Sequence, residues 1–409
     1  MSNEAADEAA SNSIPVIQKI ENYLNQNFKL RYNEVTGRVE FFELNKSVHF
    51  EELNDYTINS INRKMLKDKI SCNTTLIHTV LNSDYTPVYN PFKTYLNSLP
   101  VWDGETEYID ELANTITTTN NSLWSFCFRK WFVAMVGSLL DDNVINHTVI
   151  VFSGAQGIGK TTWMLNLVPA ELKKYCFSGT INPNNKDTLI QLSECMLINL
   201  DELENLNRSE LGAMKEIITK NGIRVRRPYG YSADFMPRRA SFAGSVNGKE
   251  FLNDTTGSRR FLCFEVTAIN YMHSIELQNV LAQAVALFKS GFQYWFDTQE
   301  IKRITKNNEQ FRIMSVEEEL LLAYFNPCSA EEADYFFTTT ELVHYFTQQV
   351  KITLTDSAKQ KMGKALRAHK FERLKIQGRY VYALQEKQEV VNNELSSVAV
   401  VGNQMIANG

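Results

Sequence analysis

The amino-acid sequence predicts an α/β protein centred on a parallel sheet with helices on both faces, and three observations predict it. From Thr148 to about Val266, short β-branched runs alternate with longer helical stretches, the order of parallel strands joined by crossover helices. The first run, Thr148-Val149-Ile150-Val151-Phe152-Ser153, passes directly into Gly154-Ala155-Gln156-Gly157-Ile158-Gly159-Lys160-Thr161, a glycine-rich phosphate loop that opens a helix. A later run, Cys195-Met196-Leu197-Ile198-Asn199-Leu200, delivers Asp201-Glu202 at its tip.

With 409 residues the chain exceeds one ordinary core, so two or three folding units are expected. Its 44% apolar and 22% charged residues are those of a globular protein and exclude the disordered and fibrous classes. A formal net charge of −5 gives no global attraction for nucleic acid, so any such contact must come from local basic patches. The six cysteines (Cys72, Cys127, Cys176, Cys195, Cys263, Cys328) lack zinc or redox spacing and are expected to be reduced. No apolar run reaches the roughly 18 residues that span a bilayer. The N-terminus is acidic where a signal peptide is basic, so a cytoplasmic protein without a membrane partner is expected.

Residues 1 to 13 are small and acidic and read as a disordered lead. Residues 14 to 90 read as an α+β domain. It opens on a helical pattern at Ile17, Ile20, Tyr23 and Leu24 and continues in a hairpin from Phe28 through Thr36-Gly37 to Leu44, with helices after it. No chemical motif falls there, and packing or interaction is its default role. Residues 91 to 147 form a helical region in which Leu123, Trp124, Cys127, Trp131, Phe132, Met135 and Leu139 predict a core helix over 122 to 141. The nucleotide-binding domain runs from 148 to 299 and closes with an amphipathic helix over 274 to 296. A charged helical connector is expected over 300 to 329, a last folded unit over 330 to 385, and a disordered tail over 386 to 409.

Each residue type at the loop has a physical reason. Gly154, Gly157 and Gly159 let the backbone curl around Ala155, Gln156 and Ile158 with its N–H groups inward, and the helix begun by Lys160, Thr161 and Thr162 aims its positive end at phosphates. Lys160 is expected to reach the β- and γ-phosphates of ATP and Thr161 to coordinate magnesium. Asp201 is expected to hold the hydrated metal and Glu202 to polarise the attacking water. A third strand, Ala240 to Val246, ends in Asn247, which places an amide near the γ-phosphate or its water. Arg259 and Arg260 precede the strand Phe261 to Val266; they read as surface salt bridges or as a finger for a neighbouring subunit's nucleotide.

The order of these motifs resembles the virulence-associated protein E family, over residues 91 to 296. The likeness runs through the phosphate loop, the acidic strand tip, Arg224-Val225-Arg226-Arg227-Pro228-Tyr229-Gly230, Met236-Pro237-Arg238-Arg239, the strand ending in asparagine, and Gly257-Ser258-Arg259-Arg260-Phe261. That family is similar to the superfamily 3 helicases of small viruses and plasmids, within the AAA+ group. The resemblance implies an AAA+-like P-loop core, a homo-hexameric ring and ATP with magnesium as cofactors. It matches Lys160, Thr161, Asp201, Glu202 and Asn247 to the roles above, and Arg260, with Arg259 as second choice, to the finger. It also implies a basic hairpin facing DNA over 224 to 239, with Arg224, Arg226, Arg227, Arg238 and Arg239 as candidates. The hairpin departs from the lysine or histidine common at the tip of viral members, since Tyr229, Tyr231 and Phe235 interleave here with arginine.

The C-terminal region has the element order of a winged helix: Phe336-Phe337, a helix from Thr340 to Val350, another from Asp356 to His369, and a hairpin from Arg373 to Ala383. Between 357 and 379 eight basic residues, Lys364, Arg367 and Lys375 among them, stand against the single acid Glu372, which suits a surface that tracks phosphates. The function expected is an ATP-hydrolysing translocase or helicase on single-stranded or forked DNA, serving replication of a phage, plasmid or integrated mobile element. No primase motif is evident in the ninety N-terminal residues, so any priming activity is expected to reside in a separate primase or replication-initiation partner. The alternative is an assembling ATP switch or defence module without translocation. A small-molecule kinase is disfavoured by Asn247 and the arginine pair.

Overall fold

Alternate residues of neighbouring strands enter opposite hydrophobic clusters, and that division sets the architecture of the larger of two compact units. The computed structural model describes residues 14–182, 185–201, 203, 208–227, 233–252, 258–350 and 357–387. The lead over 1 to 13, the tail beyond Lys387, Glu202, Gly257 and the expected hairpin tip with Tyr229 and Tyr231 lie outside them. The chain is a mixed α/β protein whose two units are Met1–Arg312 and Ile313–Gly409.

The first unit opens with a small sheet of β1 (Phe28–Asn33), β2 (Arg38–Glu43), β3 (Glu51–Glu52) and β4 (Val88–Tyr89), in the order β3-β2-β1-β4. The expected hairpin is formed by β1 and β2, with Phe28 opposite Glu43 and Asn33 opposite Arg38. Helices Val16–Asn27, Asp55–Lys67 and Thr74–Leu81 cover it through Ile20, Leu24, Ile58, Ile61, Met65 and Ile77. A buried carboxylate ties this layer to the rest of the unit. Glu40 accepts hydrogen bonds from Arg31, Asn33 and Lys174, the last at 2.6 Å, while Asn33 also donates to the Tyr175 hydroxyl at 2.7 Å.

The central sheet has six strands. These are β5 (Ile116–Thr118), β6 (Val149–Ser153), β7 (Cys176–Ser178), β8 (Leu197–Leu200), β11 (Ser241–Val246) and β12 (Phe261–Ile269), and the pair β9 (Gly222–Val225) and β10 (Asp234–Pro237) stands apart between β8 and β11 in the chain. The order is β5-β12-β6-β11-β8-β7, with β5 antiparallel and every other pairing parallel. Side-chain alternation explains why helices flank both faces. Ile150, Phe152, Leu262 and Phe264 point into a cluster with the helices Asn121–Leu140 and Leu277–Lys289. Val149, Val151, Phe261 and Cys263 point the other way, toward Met214, Ile217 and Ile218 of the helix Arg208–Thr219.

The helix Asn121–Leu140 begins where the Asn120 side chain accepts the Leu123 N–H, a conventional N-cap. Its Trp124 ring lies 5.2 Å from Phe152 and 5.2 Å from Phe264, so the tryptophan is core. By length and composition this is also the one helix among the described residues able to cross a membrane, which the sequence reading did not find. Of its apolar window 78% is buried inside the unit, so that hydrophobicity is spent on packing. The helix expected over 274 to 296 is shorter, Leu277–Lys289, because Gly291 takes a φ of 83° and ends it.

The second unit contains the helix Val316–Tyr324, β13 (Phe325–Pro327), β14 (Tyr335–Phe337), helices Thr339–Gln349 and Ala358–Ala368, β15 (Arg373–Ile376) and β16 (Arg379–Glu386). Strand β16 pairs antiparallel with all three others, including β13, which falls in the stretch expected to be connector. Gln377 and Gly378, with φ of 49° and 80°, make the two-residue turn of the β15–β16 hairpin. Leu321, Phe325, Leu342, Phe346, Met362 and Leu366 form its core.

Candidate functional site

Open parallel sheets bind ligands beyond the carboxyl ends of their strands, where the strand order reverses. Here the chain leaves β6 toward β7 on one side and later crosses from β11 over β6 to β12 on the other, so the reversal falls at β6. Ser153 at the end of β6 is level with Val246 of β11 and Glu265 of β12. Leu200 of β8 is level with Gly244, and Ser178 of β7 with Asn199. Gly154, Asp201, Asn247 and Ser178 therefore share one edge.

The loop after β6 is curled by three glycines whose backbone lies in the positive-φ range. Gly154, Gly157 and Gly159 have φ of 152°, 83° and 94°. A β-carbon on Gly154 would lie 2.6 Å from the Val266 carbonyl oxygen, and one on Gly159 would lie 2.3 Å from Tyr271 Cδ1. Ala155, Gln156 and Thr162 are exposed, while Ile158 packs against the core. The short helix Lys160–Leu165 is pinned by Trp163, whose indole N–H donates to the Thr115 hydroxyl at 2.8 Å. The buried Lys160 ammonium donates to the Gly154 and Ala155 carbonyls, each at 2.8 Å, which aims it across the loop mouth.

Asp201 collects neutral donors. Thr161 Oγ1 donates to its Oδ1 at 3.1 Å, Asn199 Nδ2 to the same oxygen at 2.8 Å, and Ser178 Oγ to its Oδ2 at 2.8 Å. Ser245 Oγ stands 3.5 Å away. That donor set fits a hard cation held by one carboxylate and one hydroxyl with water or phosphate oxygens completing the shell, as magnesium prefers. No cluster of three or more histidine, cysteine or acidic residues suited to a metal occurs among the described residues. Ser178, Asn199 and Ser245 were not singled out on the sequence; Asn199, a lone amide inside an apolar strand, was the available signal.

Asn247 is exposed one residue beyond β11, beside the start of the loop. Glu202 lies outside the described residues. Arg259 and Arg260 sit at the other end of the sheet, because Phe261, the first residue of β12, is level with Val149, the first of β6. They line a cavity of about 440 Å³ with His147, Tyr294, Trp295 and Phe296. The five-residue length of β6 separates them from the loop of their own chain by about 16 Å.

The arginines expected on DNA divide into two groups. In β9, Ile223 and Val225 are buried while Arg224, and Arg226 just after the strand, are exposed, with Arg224 opposite the exposed Phe235 of β10. Arg227 instead donates to the carbonyls of Val35 and Thr36 and pairs with Glu194 at 2.6 Å. Arg238 and Arg239 are a correction to the expected DNA face: they are 1% and 5% exposed. Arg239 pairs with Asp142 at 3.0 Å, and Arg238 donates to the Asn146 carbonyl while its Nε and Nη1 find no hydrogen-bond partner. Burial pulls the Arg238 guanidinium down to about 9. Their partners come from distant segments, so the run Arg238-Arg239 imitates a surface patch when read along the chain. In the second unit Lys364, Arg367 and Lys375 are exposed, as are Arg373 and Arg379, whereas Lys361 bonds to Glu317 at 3.2 Å.

A family model, the virulence-associated protein E-like domain, matches residues 96–313. Among solved structures, the C-terminal region of NrS-1 (residues 305–718) in its apo form is similar at 14% identity, covering 89% of this chain and 97% of that one with a TM-score of 0.47. Two structures of the A form of the same region match at 13% identity over 89% of this chain, with TM-scores of 0.44 and 0.42; they are covered to 97% and 98%. No curated protein matches.

Proposed function

The chain belongs to the virulence-associated protein E-like family, and on that footing we propose that it is an ATP-hydrolysing DNA translocase or helicase of the superfamily 3 type. Its setting is the replication of a phage, plasmid or integrated mobile element, in the cytoplasm. The observation that carries this reading is the single sheet edge shared by the curled loop and Asp201, joined by the Thr161–Asp201 hydrogen bond of 3.1 Å.

In this reading the core is an AAA+-like P-loop domain and the second unit a winged helix. The backbone N–H groups from Gly154 to Thr162 cradle phosphates, and Lys160 exchanges its loop carbonyls for β- and γ-phosphate oxygens. Thr161 and Asp201 hold magnesium, which supplies charge neutralisation at the phosphates when bound. Glu202 orients the attacking water, and Asn247 contacts the γ-phosphate or that water. Arg260, or Arg259 beside it, serves the nucleotide of the next subunit in a hexamer, since the far edge of the sheet keeps both from their own. Arg224 and Arg226 hold DNA phosphates on the hairpin face, and Lys364, Arg367 and Lys375 hold them on the second unit.

A non-translocating switch is favoured by one observation: three of the five hairpin arginines are engaged in internal contacts. ATP turnover measured with and without single-stranded DNA decides between them. Turnover that rises several-fold with DNA in the wild type and disappears in Lys160→Ala supports the motor; turnover indifferent to DNA supports the switch.

A further inference from the structure

The sheet order sorts the two ends of a nucleotide. Asp201 and Asn247 follow β8 and β11, on one side of β6, while β12 and β5 lie on the other. A triphosphate whose γ end faces Asp201 and Asn247 must run across the loop and present its nucleoside toward β12. On that side stands Tyr271, two residues beyond the end of β12. It is 39% exposed, and its ring lies so close to the loop that Gly159 has no room for a β-carbon. The ring is held on a rigid support, because Ile269 is paired with Ile116 of β5 and Asn270 N–H donates to the Thr115 carbonyl at 2.8 Å. The same Thr115 accepts the indole N–H of Trp163 through its hydroxyl, which joins this support to the helix that begins at Lys160.

We propose that Tyr271 is the ledge on which the base of the bound nucleotide stacks, so that the β12 side of the loop is the nucleoside half of the site. The proposal rests on the nucleotide reading of the loop and adds the residue that recognises the base. An aromatic face accepts any base, and a purine, with two fused rings, gains most from it. The tyrosine then distinguishes a nucleoside triphosphate from a bare polyphosphate, which the loop alone does not.

The test compares binding of MgATP and of magnesium tripolyphosphate by calorimetry in the full chain. Tyr271→Ala is expected to weaken MgATP about tenfold, the usual effect of removing one stacking aromatic, and to leave tripolyphosphate unchanged. Tyr271→Phe keeps the ring and is expected to bind both as the wild type does. Equal weakening of both ligands in Tyr271→Ala would make the ring a buttress of the loop and overturn the ledge, as would no change in either. A wild type that binds neither ligand would overturn the nucleotide reading and the ledge with it, so the two failures are distinguishable.

Discussion

Thr161 Oγ1 donates to Asp201 Oδ1 at 3.1 Å, so the first turn after the phosphate loop and the tip of β8 are positioned as one piece. Asn199 and Ser178 brace the same carboxylate, at 2.8 Å each. Removing a brace should weaken the metal and not the nucleotide. Asn199→Ala and Ser178→Ala are each expected to raise the magnesium concentration needed for half-maximal ATP turnover about tenfold. Asp201→Asn should abolish turnover while ATP still binds. A magnesium titration of ATPase activity checks all three, and an unchanged midpoint in Asn199→Ala would remove Asp201 from the metal role.

The separation of Arg260 from its own loop gives a mixing experiment. Lys160→Ala and Arg260→Ala should each be inactive alone, the first through its own site and the second through its neighbour's. In the proposed ring the two variants combined would form some intact interfaces, so part of the activity should return. Absence of any recovery, with co-assembly shown by mass measurement, would place Arg260 outside the shared site.

The two proposed DNA surfaces should fail differently. Reversing Arg224 and Arg226 to glutamate should eliminate DNA stimulation and spare basal turnover. Neutralising Lys364, Arg367 and Lys375 should instead weaken DNA binding and flatten its salt dependence, each lost phosphate contact lowering the log–log slope by about 0.7 to 0.9. Salt titrations of DNA affinity and of DNA-stimulated ATPase read the two effects separately.

Arg238 predicts a pH dependence of stability. Its folded value near 9 lies below the unfolded one, so above about pH 9 the unfolded chain retains more protons and folding is favoured as pH rises. Arg238→Met removes the buried charge. At pH 8 the variant should be as stable as the wild type or more so, by on the order of 1 kcal/mol, and the difference should shrink by pH 10. Urea denaturation of both proteins at the two pH values measures it. A variant several kcal/mol less stable at pH 8 would mean that the Asn146 contact outweighs desolvation.

What could be read along the chain and what could not divides by the range of the interactions. The strand Val149–Ser153, the loop glycines and the carboxylate at the end of β8 are local patterns, each legible within ten residues. The hairpin of β1 and β2 was legible for the same reason. The fate of Arg227, Arg238 and Arg239 was not, because Glu194, Val35, Asp142 and Asn146 reach them only through the tertiary fold. The membership of β13 in the second unit's sheet was hidden likewise: its partner, β16, follows dozens of residues later. Ser178 was invisible as a brace because a serine at a strand end is ordinary until the neighbouring strand is known.

The antiparallel pairing of β5 with β12 bears on how the chain is made. Thr267 donates to the Thr117 carbonyl across 150 residues of sequence, and β12 also borders β6. A ribosome adding about 5 to 20 residues per second needs roughly 7 to 30 s to supply β12 after β5 has emerged. Through that interval the apolar helix Asn121–Leu140 lacks Phe264 and the helix Leu277–Lys289 to cover it. The nascent protein thus carries this apolar helix uncovered until the helix Leu277–Lys289 is made, about a third of the chain later, and truncations ending before β12 should precipitate or associate with chaperones where the full chain remains in solution.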